Sequence, residues 1–267
     1  MKKVVLVTGA SSGIGEKIVE YLSEKGFTVY GTSRNPNVEV NKSFEMIPMD
    51  VVDNDLVTKA INYIVEMEGQ LDILINNAGK GVAGPIEETP LEEIKAAFDT
   101  NFYGLINVTK AVLPQMRQQK SGLIINISSI AGYMGLPYRG IYSASKSAVS
   151  VISEALSSEV QQFGIKIVDV APGDFMTNIA AGRFHAPVLE TSAYQSSYQK
   201  VLNQIDEEVN FGLDTLVMAK AIHQIILKKN PNLHYKIGKP MQRFSIVLKR
   251  ILPDRLYEKL ILNHYKL

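Results

Sequence analysis

Short apolar runs rich in β-branched residues alternate along this 267-residue chain with longer segments of helical period. Seven runs are candidate strands: Lys3–Thr8, Thr28–Thr32, Phe44–Met49, Ile73–Asn76, Gly122–Ser128, Lys166–Ala171 and His234–Gly238. The helical segments cover residues 14–25, 53–68, 91–119, 142–163 and 214–229. Because this alternation favours βαβ units, it predicts one α/β domain over residues 1–267, a doubly wound parallel sheet of about seven strands with helices on both faces.

Composition and charge exclude several classes of protein. Hydrophobic residues make up 46% of the chain and the net charge is +1, which is ordinary for a globular domain and gives no indication of a nucleic-acid partner. The absence of cysteine excludes disulfides, thiolate nucleophiles and cysteine-type zinc sites, and the four histidines lack metal-ligand spacing. No apolar run reaches the roughly 18 residues of a membrane span, and the run at Val4–Val7 is too short for a signal-peptide core. We therefore expect a cytoplasmic location.

The first candidate strand ends in a glycine-rich turn that leads directly into a helical segment. The residues of this turn that we expect to bind a cofactor are Gly9, Ser11, Ser12, Gly13, Ile14 and Gly15. Glycine permits the tight turn and lets backbone N–H groups approach a phosphate at the positive end of the helix. Many such turns carry glycine only for packing, but the position between first strand and first helix favours a dinucleotide site.

The end of the second strand bears on the choice of cofactor. Ser33 and Arg34 lie about 20 residues beyond the glycine turn, where a carboxylate would bind the 2′-hydroxyl of NAD. A hydroxyl and a guanidinium would instead bind the 2′-phosphate of NADP. Without the glycine turn, Arg34 would read as an ordinary solvated loop residue. With it, the sequence predicts NADP(H), and tolerance of NAD(H) stays open because phosphate recognition rests mainly on Arg34.

Tyr142 and Lys146 are four residues apart in a segment of helical period, which places them on one face, one turn apart. A free tyrosine has a pKa of about 10, and a nearby lysine cation stabilises the phenolate and lowers that value. Ser129, at the end of the fifth strand, would orient the substrate oxygen. A lone pair of this kind would be a surface contact, and a lone strand-end serine a cap. Together with a cofactor site they predict that Tyr142 is the acid/base in hydride transfer between nicotinamide and a carbonyl or alcohol.

Taken together, these residues resemble the short-chain dehydrogenase/reductase family over residues 3–178. The matching segments are Thr8–Gly15, Asp50-Val51, Asn76–Gly79, Asp99–Gly104, Ser128-Ser129, Tyr142–Lys146 and Pro172-Gly173 with Thr177. The resemblance implies a Rossmann-type fold and a homodimer or homotetramer. It also implies a catalytic tetrad, Asn101, Ser129, Tyr142 and Lys146, in which Asn101 binds a water of the proton relay.

The same resemblance implies roles for residues around the cofactor. Asp50 and Val51 would lie at the adenine, and Asn77, Ala78 and Gly79 beside the adenosine ribose. Tyr142 and Lys146 would also touch the cofactor, and Pro172, Gly173 and Thr177 would line its nicotinamide end. One position departs from the NADP-dependent pattern, since Ser12 stands where some of those members carry a basic residue.

Two segments fall outside the strand–helix alternation. We expect the irregular segment 174–212 to be a substrate lid with an apolar pocket built from Phe175, Met176, Ile179, Phe184, Val188, Leu189, Tyr194 and Tyr198. The C-terminal extension 239–267 mixes apolar with basic side chains, and from Lys236 onward eight lysines and arginines stand against two acidic residues. It could lie on an anionic membrane surface, close the active site or pack on a second subunit.

The chain is weakly similar to the branch of the family that contains 17β-hydroxysteroid and retinol dehydrogenases, which favours a hydrophobic carbonyl or secondary alcohol as the small-molecule substrate. Two alternatives remain open from the sequence. One is a ketoacyl-thioester reductase, and the other is a non-catalytic NADP-sensing or interaction module, which would typically have lost Tyr142 or Lys146.

Overall fold

Nine strands form in the part of the chain that the computed structural model describes, residues 2–35, 43–176 and 183–267. They are β1 (Val4–Thr8), β2 (Thr28–Ser33), β3 (Glu45–Pro48), β4 (Ile73–Asn76), β5 (Val82–Ala83), β6 (Gly122–Ile127), β7 (Ile165–Pro172), β8 (Phe184–His185) and β9 (His234–Ile237). Seven of them make one parallel sheet in the order β3-β2-β1-β4-β6-β7-β9. All seven predicted strands, and the doubly wound fold, are confirmed.

The helices are α1 (Gly13–Glu24), α2 (Asn54–Glu68), α3 (Leu91–Phe98), α4 (Gly104–Gln119), α5 (Gly140–Val160), α6 (Gln195–Asn210), α7 (Thr215–Ile226), α8 (Pro240–Ile251) and α9 (Asp254–Tyr265). The helical segment predicted over 91–119 is confirmed, with a π-helical turn at Asp99–Tyr103 between α3 and α4. The expectation that segment 174–212 is irregular is wrong, since α6 occupies its second half. The buried residues Tyr198, Val201, Ile205 and Val209 recur three or four apart, which is the spacing of one helix face.

The sheet is buried on both faces, which explains why its strands are apolar at successive positions. In β1, Val5 and Val7 pack into the core shared with α1 and α7, whereas Val4 and Leu6 pack into the core shared with α2 and α4. All five residues of β1 are buried. The central strands are therefore held rigidly, and so are the polar residues that follow them.

The chain runs outward from β1 to β2 and β3 on one side, and from β4 to β6 and β7 on the other. This reversal leaves a crevice beyond the carboxyl ends of β1 and β4, the place where ligands bind in open α/β sheets. The glycine turn follows β1, and Asn77–Gly79 follow β4. The topology thus brings together two motifs that lie about 70 residues apart in sequence.

The C-terminal extension folds back over this end of the sheet as α8 and α9. Ile246 and Tyr257 are buried against Ile130 and Met134, which follow β6. Tyr265 is buried against α6. Of the three roles left open by the sequence, closure over the site is the one that the fold displays; contact with a membrane or a second subunit stays a prediction. No helix among the described residues has both the length and the apolar character needed to cross a bilayer.

Candidate active site

The carboxyl ends of β1 and β4 are joined by a side-chain clasp. Thr8 Oγ1 accepts hydrogen bonds from the backbone N–H groups of Asn77 and Ala78, each at 3.0 Å. In return, Asn77 Nδ2 donates to the carbonyl oxygens of Thr8 and Gly9, also at 3.0 Å. The clasp fixes the glycine turn against the β4 loop, so Asn77 shapes this site through hydrogen bonds to the turn itself.

The glycines of the turn are required by close approach as well as by conformation. Gly9 has φ +65°, and a Cβ there would lie 2.8 Å from the Cα of Ala78. A Cβ on Gly15 would lie 2.5 Å from Asn77 Nδ2. Helix α1 then starts after Ser12, whose side chain makes no capping hydrogen bond, and Ser11 and Ser12 are exposed. Uncapped N–H groups at a helix start fit the pyrophosphate of a dinucleotide.

The residues predicted to select the cofactor lie at the neighbouring strand ends. Met49 N–H donates to the Ser33 carbonyl at 2.9 Å, which holds the end of β3, and Asp50 with it, beside the end of β2. Arg34 is exposed there, and Val51 is buried. The structure therefore gathers the predicted adenosine-side residues at one edge of the sheet, with the Arg34 side chain exposed to solvent.

Asn101 sits in the π-helical turn and connects two parts of the site. Its Oδ1 accepts the Lys80 N–H at 2.7 Å, and its Nδ2 donates to the Lys80 carbonyl at 2.9 Å and to Ser145 Oγ at 3.0 Å. Both amide hydrogens are therefore used by the protein. The side chain of Asn101 links the β4 loop to α5, and its predicted role in a water relay stays a prediction.

Lys146 is buried, with an exposed fraction of only 5%. Its Nζ donates to the Ile127 carbonyl at 2.8 Å, at the end of β6. Burial lowers the pKa of Lys146 to about 8, while the buried carboxylate of Asp169 opposes this shift. The ammonium group is still mostly protonated at neutral pH, so it is a cation fixed one helical turn from Tyr142.

The lowered pKa of Lys146 predicts a pH-dependent contribution to stability. Between about pH 8 and 10.5 the unfolded chain holds a proton on this lysine that the folded protein has released. The free energy of unfolding of the cofactor-free wild type should therefore rise with pH in this window relative to Lys146→Met, and the difference should be flat below it. Urea unfolding over a pH series measures this, with the exposed Lys110→Met as control. Parallel pH profiles for wild type and Lys146→Met would contradict the assignment.

Tyr142 and Ser129 line one cavity of about 520 Å³, together with Ile14, Pro172 and Gly173 from the predicted cofactor set. Ser129 Oγ accepts the Ala131 N–H at 3.1 Å and lies 3.5 Å from the Pro172 carbonyl. The serine is thus a cap, as the sequence allowed, but among the described residues its hydroxyl hydrogen has only this long contact. Thr177, the last predicted cofactor residue, lies outside the described residues.

The predicted pocket residues of the lid are mostly wrong. Phe175 lines the cavity, but among the described lining residues Met176, Phe184, Val188, Leu189, Tyr194 and Tyr198 are absent; Ile179 lies outside the described part. Tyr198 is buried and donates to the Ala83 carbonyl at 2.9 Å, and Tyr194 donates to Glu87 at 2.6 Å. The apolar wall comes instead from Met134, Leu136 and the C-terminal extension (Met241, Leu248, Leu260, Ile261).

Sequence reasoning also missed five charged residues that line this cavity: Arg139, Asp174, Arg183, Glu208 and Lys239. Arg139 immediately precedes α5, and its guanidinium carbon lies 5.8 Å from the centroid of the Tyr142 ring. Arg139 lies three residues before Tyr142, and this spacing could have indicated from the sequence that a second cation lies near the predicted acid/base. Asp174, Arg183 and Glu208 lie in or beside the lid, and Lys239 lies at the start of the C-terminal extension. In both segments the sequence spacing does not indicate where a side chain points.

Comparison with known proteins agrees with this geometry. The family model described as short chain dehydrogenase matches residues 3–187. The chain belongs to the short-chain dehydrogenase family. It is therefore an oxidoreductase of the Rossmann type that uses a nicotinamide cofactor and a small-molecule substrate. This confirms the family resemblance.

Three similar proteins cover almost all of this short-chain dehydrogenase. A 3-ketodihydrosphingosine reductase of Bacteroides thetaiotaomicron is 42% identical, over 96% of this chain and 95% of that protein. An NADPH-dependent 3-dehydrocapnine reductase of Ornithobacterium rhinotracheale is 30% identical, over 99% and 98%. The solved structure of a short-chain dehydrogenase from Streptomyces avermitilis superposes with a TM-score of 0.83 at 30% identity, covering 100% of this chain and 96% of that one.

Proposed function

We propose that this enzyme uses NADPH to reduce the ketone of a long-chain 2-amino-3-keto compound to the secondary alcohol, with Tyr142 as the proton donor. The observation that carries the proposal is the set of residues that line the cavity. Tyr142 and Ser129 lie in its wall together with the predicted nicotinamide-end residues, and the C-terminal extension supplies a large apolar surface to the same space. Such a cavity suits a polar reacting group attached to a long hydrocarbon chain.

The names of two relatives support the same substrate class. 3-Ketodihydrosphingosine and 3-dehydrocapnine are both long-chain amino ketones, with a hydroxyl in the first and a sulfonate in the second at the head of the molecule. Both relatives match this chain over nearly its whole length, including the extension that lines the cavity. A steroid or retinoid, the weaker expectation from the sequence, is less well supported.

In the proposed mechanism, the glycine turn together with Pro172 and Gly173 would hold a reduced nicotinamide cofactor, which would supply the hydride for the carbonyl carbon. Ser129 donates a hydrogen bond to the substrate oxygen and fixes its position. As negative charge develops on that oxygen, Tyr142 transfers its phenolic proton to it. The ammonium group of Lys146, held against the Ile127 carbonyl, stabilises the phenolate that remains. Asn101 keeps the β4 loop in place beside Lys146.

The preference for NADPH over NADH is also part of the proposal. It is supported by the exposed Arg34 at the end of β2, by the lack of a carboxylate at Ser33 and by the cofactor named for the 3-dehydrocapnine reductase. A guanidinium pairs well with a phosphate monoester, and a single such charge-assisted contact is worth about 1.5–3 kcal/mol.

Replacing Arg34 by alanine should therefore raise the KM for NADPH by about 10- to 100-fold and leave the KM for NADH nearly unchanged. Steady-state kinetics with each cofactor measure this. The matched control is Arg255→Ala, because Arg255 is an exposed arginine on α9, far along the chain from the glycine turn. Equal loss with both cofactors would show that Arg34 does not recognise the 2′-phosphate.

The substrate proposal is tested by NADPH consumption with 3-ketodihydrosphingosine, a steroid ketone and acetoacetyl thioester, using Tyr142→Phe as the blank. We expect turnover with the amino ketone to exceed that with the other two. Preference for the thioester would favour a ketoacyl-thioester reductase. Tight NADPH binding with no turnover on any ketone would favour the NADP-sensing alternative.

A further inference from the structure

Two arginines from different segments of the chain, Arg139 and Arg183, line the cavity. Arg139 precedes α5, and Arg183 precedes β8. The position of Arg183 is fixed by β8, since Phe184 N–H donates to the Gly81 carbonyl at 3.0 Å. A Cβ on Gly81 would lie 2.9 Å from Arg183 Cγ, so the absent side chain of Gly81 makes room for the arginine stem.

The positive charge of Arg183 is poorly matched by the protein. The Arg183 side chain has an exposed fraction of 7%, and its Nη1 is buried without a hydrogen bond among the described residues. Its nearest carboxylate there is Asp206, at 3.6 Å. Arg139 differs: burial acts to lower its pKa, but Tyr265, Asp174 and Glu208 outweigh burial and raise it, although none of the ion pairs within 4.0 Å in the described part involves Arg139. A buried cation with an unpaired donor is costly, so Arg183 is suited to an anionic group that a ligand brings.

The acidic side chains of the cavity also form hydrogen bonds with the C-terminal extension. Asp174 Oδ2 accepts a hydrogen bond from Gln242 of α8. Glu208 Oε1 accepts from Gln204 at 3.1 Å and contacts His264 Nε2 at 2.9 Å. Both carboxylates therefore hold the C-terminal extension in place. Neither lies within ion-pair distance of Arg139 or Arg183.

The two guanidinium groups also interact with each other. Burial lowers the pKa of Arg183, and the neighbouring Arg139 cation lowers it further. Like charges that repel in a cavity are both stabilised when an anion binds between them. Arginine is the cation best suited to this, because its fork of N–H donors matches the oxygens of a sulfonate, phosphate or carboxylate.

We propose that Arg139 and Arg183 form a subsite for an anionic head group on the substrate, close to the ketone that Tyr142 protonates. The inference rests on the proposed function and narrows it. Among long-chain 2-amino-3-ketones, the enzyme prefers those whose first carbon carries a sulfonate or another oxyanion over those that carry a hydroxyl. The alkyl chain then extends along the apolar wall formed by Met134 and α8.

Two ketones with the same alkyl chain and amine, one a 1-sulfonate and the other a 1-alcohol, test the proposal. We expect wild type to have a kcat/KM for the sulfonate at least about tenfold above that for the alcohol. Arg139→Met and Arg183→Met should each reduce this ratio by about 10- to 100-fold, mainly through the KM of the sulfonate. Arg255→Met, on the exposed side of α9, should leave the ratio unchanged.

Arg139→Lys gives a milder variant in case a methionine at either buried position prevents folding. It keeps the charge but loses the fork, so the ratio should fall by less than in Arg139→Met. If wild type reduces both ketones equally well, or if the arginine variants affect both to the same degree, the subsite is overturned and the reductase function stands.

A binding measurement separates the subsite from the reaction. Dodecanesulfonate and dodecanol are titrated by calorimetry into the Tyr142→Phe protein saturated with NADPH. We expect the sulfonate to bind more tightly, and Arg139→Met to remove that advantage. If neither ketone is reduced but the sulfonate binds through Arg139, the proposed substrate is wrong and the anion subsite is supported. Equal binding of the two amphiphiles would overturn the subsite.

Discussion

Replacing Tyr142 by phenylalanine should lower kcat by at least about 10²- to 10⁴-fold, the range that general acid–base catalysis contributes. The phenylalanine ring keeps the packing of α5 but has no proton to give to the alkoxide. Ser129 and Lys146 stay in place, since their hydrogen bonds run to Ala131 and Ile127 and involve no atom of Tyr142. The Kd for NADPH should therefore change little.

The measurement is the rate of NADPH oxidation with an amino ketone, together with the Kd from fluorescence of the bound cofactor. Tyr138→Phe is the matched control, because Tyr138 lies four residues earlier, just before α5, and its hydroxyl forms a hydrogen bond with Ser197 Oγ at 2.7 Å. This control loses a hydrogen bond but keeps Tyr142, Lys146 and Ser129, so its kcat should stay close to that of the wild type. Substantial activity in Tyr142→Phe would refute its role as the proton donor.

Replacing Gly9 by alanine should have the second largest effect, a rise in the Kd for NADPH of more than about 100-fold. The new Cβ would lie 2.8 Å from the Cα of Ala78 and 3.1 Å from its backbone nitrogen. The Thr8–Asn77 clasp holds this backbone in place. The turn must move, and it then presents its N–H groups wrongly to the pyrophosphate. Two lost contacts at about 1.5–3 kcal/mol each account for the expected loss.

Gly26→Ala separates steric conflict from backbone strain in this test. Gly26 also has a positive φ, +87°, but a Cβ there would meet nothing within 4 Å. Its substitution should cost about 1–2 kcal/mol of stability through strain alone and leave cofactor binding intact. Calorimetric titration with NADPH and urea unfolding of both variants give the comparison. Normal NADPH affinity in Gly9→Ala would show that the turn does not bind the pyrophosphate.

The predictions from sequence succeeded where structure depends on neighbours along the chain. The strand of Val4–Thr8 is apolar at every position because helices cover both faces, and the glycine turn is local to one strand and one helix. Tyr142 and Lys146 are one turn apart in α5 whatever surrounds them. These patterns by themselves determined the doubly wound fold and the main residues of the candidate site.

Segment 174–212 shows where such reasoning failed. Tyr194 and Tyr198 were expected in the pocket, yet one donates to Glu87 and the other is buried beneath β5 through its bond to the Ala83 carbonyl. The hydrophobic effect is non-directional, so burying an apolar or aromatic side chain is favourable against any apolar surface. The residue type therefore does not indicate which surface the side chain will cover. The helical spacing in α6 was present in the sequence, but the direction of its buried face was not.

The sequence by itself determined the positions of the strands and helices, the glycine turn and the Tyr142–Lys146 pair, because each follows from local geometry and backbone sterics. Only the tertiary structure decided what surrounds the reacting carbonyl. It folded the C-terminal extension over the cavity and brought Arg139 and Arg183 together from positions more than 40 residues apart. The reason is physical: contacts between distant segments depend on how whole faces pack, and no periodicity within either segment records the partner.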